Sequence, residues 1–155
     1  MKMKYLLLVL CLQIGNATKA QDLSVRKKHY NLSETALAIE GYDPVAYFLQ
    51  KKPLKGKKEL LVNHEGVIYY FSSATNRDVF LKSPSSYEPE FGGWCAYAMG
   101  AKAEKVSIDP ETFKIIDNKL YLFYNRFFTN TLKEWNKAEE LLKPNAEKAW
   151  KKIIH

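Results

Sequence analysis

The sequence contains few cysteines, and neither of them stands next to another soft metal ligand. Cys11 and Cys95 are the only two in 155 residues, and neither belongs to a CxxC motif or lies beside a histidine. The histidines, His29, His64 and His155, are scattered and do not have the spacing of a metal site. The sequence therefore contains no ready-made metal cluster.

The patterns that identify common enzymes are also missing. There is no glycine-rich phosphate-binding loop, no Ser-His-Asp arrangement and no pair of catalytic carboxylates. An enzymatic role would rest on the thiol of Cys95 alone, and we expect a protein that is not an enzyme. No segment has the roughly twenty consecutive apolar residues that a membrane-spanning helix needs. Repeats and linkers are absent as well, which favours one compact domain.

The first twenty residues have the three parts of a signal peptide. Lys2 and Lys4 form a positive start, and an apolar core of about ten residues follows over 5–14. A polar exit then ends in small residues that favour cleavage between Ala20 and Gln21. The sequence therefore predicts export, to a periplasm or to the outside of the cell, and a mature chain without a transmembrane segment.

Export divides the chain into three parts. Residues 1–20 are the signal peptide, 21–31 are predicted to be a flexible leader, and 32–154 form the domain. Removal of the signal takes away three lysines and no acidic residue, which lowers the formal net charge from +7 to +4. The remaining lysines are spread over loops and amphipathic helices, where they serve solubility. We therefore expect no nucleic-acid partner.

The residue pattern predicts a small single α+β domain. Runs rich in β-branched and aromatic residues, 60–64 with 67–71 and 112–116 with 120–124, form two β-hairpins, which we expect to join in one antiparallel sheet. Ser72 or Ser73 begins a helix that ends near residue 81. A capping box of Thr131 and Glu134 begins another, and a second C-terminal helix follows Pro144. Short helices of this kind would pack on the sheet.

Several stretches spread over most of the chain share one further pattern. They are Ala38–Phe48 (AIEGYDPVAYF), Tyr69–Ala74 (YYFSSA), Phe80–Tyr87, Phe91–Tyr97 (FGGWCAY), Asp109-Pro110, Lys119–Leu122 and Trp150. Together they resemble the exported YHS domain-containing proteins, and the likeness covers roughly residues 32–150.

The resemblance implies a link to metals. The wider YHS group is associated with metal handling, especially of copper, and some relatives of the exported branch are described as selenoproteins. The metal-binding form of the domain carries cysteines where this chain has Ala46, Ser72 and a residue at or near Asn76. A copper or other transition-metal ion is therefore the cofactor that the resemblance implies, whereas the cysteine cluster that would hold it is missing.

Cys95 is the best candidate for a functional residue. In an oxidising compartment a lone thiol is buried, is a metal ligand, is reactive, or pairs between chains. Gly92 and Gly93 would let a ligand approach the backbone closely. Trp94 and Tyr97 would help to wall a small pocket.

The Gly41–Phe48 segment supplies the other candidate residues for ligand binding. Tyr42 and Tyr47 are further pocket walls, and Asp43 could orient a ligand. For a metal ion, Cys95 would be the main donor, with His64 and Met99 as helpers. Each residue also has a structural interpretation. Tyr42 and Tyr47 would be core aromatics, and Asp43 would cap its own turn. His64 would face solvent, Met99 would fill a gap in the core, and Cys95 would be buried.

Three functions follow from these candidates. The first is an exported YHS-type domain that binds a metal ion or a small redox molecule near Cys95. The second is a thiol-dependent redox enzyme or sensor, which needs an accessible thiolate with a lowered pKa. The third is an inert interaction module in which Cys95 is merely buried.

Overall fold

The structure, a computed structural model, describes residues 23–155. The predicted signal peptide, its cleavage site before Gln21, and Cys11 lie outside the described residues. Five helices and six strands follow one another. The helices are α1 (23–29), α2 (Ala46–Leu49), α3 (Ala74–Lys82), α4 (Ala96–Lys102) and α5 (Thr131–Ile154). The strands are β1 (Lys57–His64), β2 (Val67–Phe71), β3 (Asp109–Ile116), β4 (Lys119–Phe123), β5 (Asn125–Arg126) and β6 (Thr129–Asn130).

The α+β class and both predicted hairpins are confirmed. Strands β1 and β2 are antiparallel and close with His64 opposite Val67, and β3 and β4 close with Ile116 opposite Lys119. The two residues of each turn all have positive φ, between 49° and 81°. This is the geometry of the tight turns that match the twist of a hairpin, and Gly, Asn and Asp adopt it readily.

The two hairpins do not join in one sheet, contrary to the prediction. The described residues contain three separate two-stranded sheets, β1–β2, β3–β4 and β5–β6. Loop residues occupy one edge of each of these hairpins through single bridges, in which Leu37 pairs with Ile68 of β2 and Pro89 pairs with Leu120 of β4. Because loops use these backbone groups, β2 and β4 cannot pair with one another at those edges.

The C-terminal region forms one helix rather than two. Helix α5 runs from Thr131 to Ile154, with Pro144 in its interior and a local loss of helical dihedral angles at Ala138. Pro144 is exposed, so water can solvate the carbonyl group that its missing N–H leaves unpaired. The N-cap is also one residue earlier than predicted, because the side chain of Asn130 accepts from the N–H of Leu132 at 3.1 Å.

The leader predicted over residues 21–31 is helical in its described part and packs against the domain. The guanidinium of Arg26 donates to both carboxylate oxygens of Glu88, at 2.6 and 3.0 Å, and lies 3.0 Å from a carboxylate oxygen of Glu65. Bidentate pairs of this kind are geometrically specific and strong. A charged residue that looks solvent-facing in the sequence is thus paired in a largely buried site, which ties this segment to the domain.

The core consists of two hydrophobic clusters that meet at α4. One contains Cys95 and Ala98, and the other contains Ala96 and Met99. Helix α4 packs tightly on α5, since a methyl group at Gly100 would lie 2.5 Å from the carbonyl oxygen of Leu142. Within residues 23–155, no helix is both long and apolar enough to cross a bilayer.

Candidate functional site

Cys95 lies at the start of α4, where three parts of the chain meet. It is the N-cap residue of that helix, and its N–H donates to the carbonyl of Val106 at 2.9 Å. Its side chain is fully buried and forms no disulfide. The loop before β3 thus holds the backbone of Cys95, and the start of α5 lies over its side chain.

The thiol of Cys95 is hydrogen-bonded on both sides. Its sulfur lies 3.4 Å from the hydroxyl oxygen of Thr131, and the N–H of Tyr124 donates to the sulfur at 3.4 Å. The hydroxyl of Thr131 donates its single proton to the carbonyl oxygen of Tyr124 at 2.9 Å. Since a hydroxyl has only one proton to give, the thiol must be the donor to Thr131.

A pocket of about 220 Å³ opens over this thiol. Its walls are mostly apolar, and two charged side chains belong to the lining. The lining residues are Cys95, Tyr97, Ala98, Lys102, Glu104, Val106, Tyr124, Thr129 and Thr131. Because Cys95 has no exposed surface of its own, it lies at the inner end of the pocket. The structure therefore brings together Cys95 and Tyr97 of the predicted site.

The glycines before Cys95 serve packing between the ends of the chain. Gly92 has a φ of +59°, and a methyl group there would lie 2.8 Å from the ring of Tyr30 and 2.9 Å from that of Trp150. The carbonyl of Gly93, whose φ is +85°, accepts from the side chain of Asn31 at 3.0 Å. No ligand is needed to account for these glycines, since neighbouring side chains fill the space beside them.

Trp94 joins the same packing region. Its indole N–H donates to the carbonyl of His29 at 2.6 Å, and the ammonium of Lys105 lies 5.9 Å from its ring centre. Trp94 therefore holds the N-terminal helix, and it does not line the pocket over Cys95.

The two tyrosines of the first segment belong to the core. Tyr42 donates its hydroxyl to Glu111 at 2.9 Å, and Tyr47 donates to the carbonyl of Pro110 at 2.8 Å. Burial raises the pKa of both phenols above the ordinary value, and by more for the fully buried Tyr47. They fix the Gly41–Phe48 segment to the start of β3 and do not line the pocket.

Asp43 is a buried structural carboxylate. One of its oxygens accepts from the N–H groups of Val45 and Ala46, at 2.9 and 3.2 Å. The other accepts from the N–H and hydroxyl of Ser72, at 2.8 and 2.6 Å, and from the amide of Asn76 at 2.7 Å. Five donors satisfy the charge without a cation. Asp43 therefore caps its own turn and also links that turn to Ser72 and Asn76.

The three positions that lack the expected cysteines converge on this one carboxylate. Ala46, Ser72 and Asn76 all donate hydrogen bonds to Asp43, although Ser72 and Asn76 are 29 and 33 positions away from it. Hydrogen bonding to Asp43 therefore occupies the place where these three positions meet.

The predicted metal ligands pack in different surroundings. His64 ends β1, and its ring packs edge-on against Phe80 at 5.9 Å. The side chain of Met99 lies in the second core cluster with Trp135, whereas Cys95 belongs to the first. Among residues 23–155, no group of three or more His, Cys, Asp or Glu side chains is placed to hold a metal ion.

The sequence reasoning missed several residues of the pocket. Thr131 looks like a helix cap, and its real partners are Cys95 and Tyr124. Lys102, Glu104 and Thr129 lie in short polar stretches that carry no motif. The one available signal was a threonine followed three residues later by glutamate, which indicates a helix start and says nothing about a thiol.

Neither protein-family models, nor curated proteins, nor solved structures give a match to this chain. The resemblance to exported YHS domains stays a prediction.

Proposed function

We propose that this protein is an exported, non-enzymatic binding domain that takes a small, largely apolar molecule in the pocket over Cys95. One observation carries the proposal: the candidate thiol lies at the inner end of a concave, mainly apolar pocket. Concave apolar sites with a few polar groups at their edges are typical of small-molecule binding.

The dimensions of the pocket limit the ligand. A volume of about 220 Å³ is below the usual range for drug-sized molecules and suits roughly ten non-hydrogen atoms. Ala98, Val106 and the ring of Tyr97 would contact the apolar body of such a molecule. Lys102 and Glu104 are exposed, and they would contact a polar end directed towards solvent.

We propose that Cys95 supports the pocket rather than donating an electron pair to a ligand. Its side chain is fully buried and its proton is engaged with Thr131, so the polarisable sulfur would lie behind the accessible surface of the pocket. Coordination of Cu(I) or attack by a thiolate would require loss of that hydrogen bond. Metal coordination and thiolate chemistry both require a reacting sulfur atom at Cys95, whereas the binding that we propose does not.

Filling the pocket tests the proposal. The fluorescence of 1-aminonaphthalene, an apolar probe of about the size that the pocket suits, is expected to shift to the blue on binding to the wild-type protein. Ala98→Leu adds three carbon atoms at a lining position, and we expect it to weaken probe binding at least tenfold. Ala101→Leu makes the same change at an exposed position of the same helix and should leave probe affinity unchanged. Thr129→Trp, at the outer edge, provides a second blocking variant if Ala98→Leu is unstable.

Two results would overturn this function. One is equal probe affinity in the wild type, Ala98→Leu and Thr129→Trp. The other is Cu(I) binding, measured by competition with bathocuproine disulfonate, that falls at least tenfold in Cys95→Ser while that variant still binds the probe. The second result would favour the metal-binding function.

A further inference from the structure

Two phenylalanines project from the shortest hairpin of the molecule. Phe127 and Phe128 are the two turn residues between β5 and β6, where Arg126 pairs with Thr129. Both side chains project into solvent: Phe127 is 86% exposed and Phe128 is fully exposed. Singly exposed apolar residues are ordinary in proteins, but a pair of rings at a protruding tip is not.

The backbone of this turn disfavours the residues that it carries. Phe127 has a φ of 50° and Phe128 a φ of 70°, a combination for which Asn and Gly are strongly preferred. The hairpin therefore exposes two large apolar side chains to water, and its dihedral angles are unfavourable for phenylalanine. Neither packing within the domain nor the conformation of the turn accounts for the two phenylalanines, which favours a contact with another molecule.

A group of lysines lies around the C-terminal end of α4. Lys102, Lys148 and Lys152 line a depression of about 330 Å³ together with Asn145. All three lysines are exposed, and no carboxylate of the described chain lies within ion-pairing distance of their ammonium groups.

The tip and the lysines are parts of one continuous surface. Thr129 directly follows Phe128 and lines the pocket over Cys95, and Lys102 lines that same pocket. Lys102 also lines the lysine depression. We call the surface formed by Phe127, Phe128, Lys102, Lys148 and Lys152 the tip surface.

We propose that the tip surface docks on an anionic lipid bilayer. Phe127 and Phe128 would enter the boundary between headgroups and acyl chains, while the three lysines face lipid phosphates. Stable attachment to a membrane surface commonly needs an apolar and a basic contribution together, and the tip surface supplies both. The positive net charge of the chain acts in the same direction. This inference goes beyond the proposed function and does not depend on a ligand over Cys95.

A bilayer fits this surface better than a folded protein partner does. The residues that flank the rings, Asn125, Arg126, Thr129 and Asn130, are polar, so the two rings are the only apolar side chains of this hairpin. Specific protein interfaces have a packed apolar core within about 800 Å² of buried surface on each partner. A fluid lipid interface accepts isolated rings without shape complementarity.

Vesicle co-sedimentation of the full chain tests the apolar half of the proposal. The probes are vesicles of phosphatidylcholine with one quarter phosphatidylglycerol, and vesicles of phosphatidylcholine alone. Phe127→Asn with Phe128→Gly gives the turn its preferred residues, so the fold is retained, and we expect at least tenfold weaker binding to the anionic vesicles. Leu81→Asn, at another exposed apolar position, is the matched control and should bind like the wild type.

The same assay tests the basic half. Lys148→Glu with Lys152→Glu is expected to weaken binding at least tenfold, as is an increase of salt to about 0.5 M. Lys57→Glu with Lys58→Glu reverses two exposed charges on β1 and is the matched control. Residues 1–22 are the same in every variant, so a difference between variants reports on the substituted part of the chain.

A local probe makes the outcome decisive. Thr129→Cys in a Cys11→Ser chain is labelled with NBD, while the buried Cys95 stays unlabelled. We expect a blue-shifted, brighter signal with anionic vesicles, and none from Ser85→Cys labelled in the same way.

The proposal is overturned if both positions respond alike, if neither responds, or if the double Phe variant binds vesicles normally. It is also overturned if the rings instead hold two copies of the chain together without vesicle binding, as the native mass would show.

Discussion

The sulfur of Cys95 and the hydroxyl oxygen of Thr131 lie 3.4 Å apart, although 36 positions separate them in the sequence. This contact ties the start of α4 to the start of α5, the two helices that pack most extensively in the fold. The hydroxyl also donates to the carbonyl of Tyr124, so one buried side chain satisfies two other groups.

Thr131→Val removes this hydroxyl with little change in shape. The thiol loses its acceptor, and the carbonyl of Tyr124 loses one of its two donors but keeps the N–H of Thr131 at 3.0 Å, so we expect a loss of about 0.5–1.5 kcal/mol in the free energy of unfolding. Alkylation of Cys95 under native conditions should become faster. Thr129→Val, at an exposed position nearby, is the control for urea denaturation, and equal stability of the two variants would contradict the assigned hydrogen bonds.

Asp43→Asn should be strongly destabilising. The carboxylate accepts five hydrogen bonds, and an amide at this position would turn one acceptor into a donor that faces other donors. We expect a loss of about 2–4 kcal/mol, measured by chemical denaturation. Asp78→Asn makes the same change on an exposed side chain and should cost less than about 0.5 kcal/mol. A small effect at Asp43 would show that the network is not needed.

Gly92→Ala tests the packing between the ends of the chain. The added methyl group would lie within 3 Å of the rings of Tyr30 and Trp150, so we expect a destabilisation of about 2 kcal/mol or more. Gly66→Ala is a well-matched control because Gly66 also has a positive φ, whereas its nearest neighbour would lie 3.4 Å away. Similar melting temperatures for the two variants would mean that only the dihedral angle matters.

Phe127→Asn with Phe128→Gly should stabilise the protein. The wild-type turn places two phenylalanines at positive φ, and the replacements adopt these angles with less strain. We expect a gain of about 1 kcal/mol in the free energy of unfolding. Residues that lower stability at an exposed tip are typical of a binding site, so a gain in stability together with a loss of vesicle binding would be consistent with docking through the tip surface. Destabilisation in thermal melts would instead assign the rings a structural role.

Stability should fall at alkaline pH. Burial raises the pKa of Tyr47 and Tyr69 well above the ordinary value, so in the folded state these phenols stay neutral where the unfolded chain has begun to ionise, near pH 10. Their contribution is fully present below about pH 10 and is lost as the pH rises further, because the unfolded state then releases more protons. Urea denaturation at rising pH measures the slope, and Tyr47→Phe should reduce it. A slope that is unchanged in this variant would exclude Tyr47 as the source.

Local features were predictable because they depend on neighbouring residues. Both hairpins follow from alternating side chains around turns that tolerate positive φ. Helix α3 begins after Ser73, whose hydroxyl accepts from the N–H of Asn76 at 3.1 Å, as the capping pattern indicates. The sequence also identified Cys95 as the residue to examine, since it is the single thiol of the described chain.

The tertiary structure alone decided what surrounds these features. Gly92 lies against Tyr30 and Trp150 from opposite ends of the chain, and Arg26 finds its carboxylate 62 positions away. The sequence by itself determined the turns, the caps and the α+β class, since these depend on contacts over a few residues. Which donors meet at Asp43, and whether the thiol of Cys95 meets a metal ligand or a threonine, depends on how distant segments pack. Long-range packing of that kind leaves no periodic trace in the sequence.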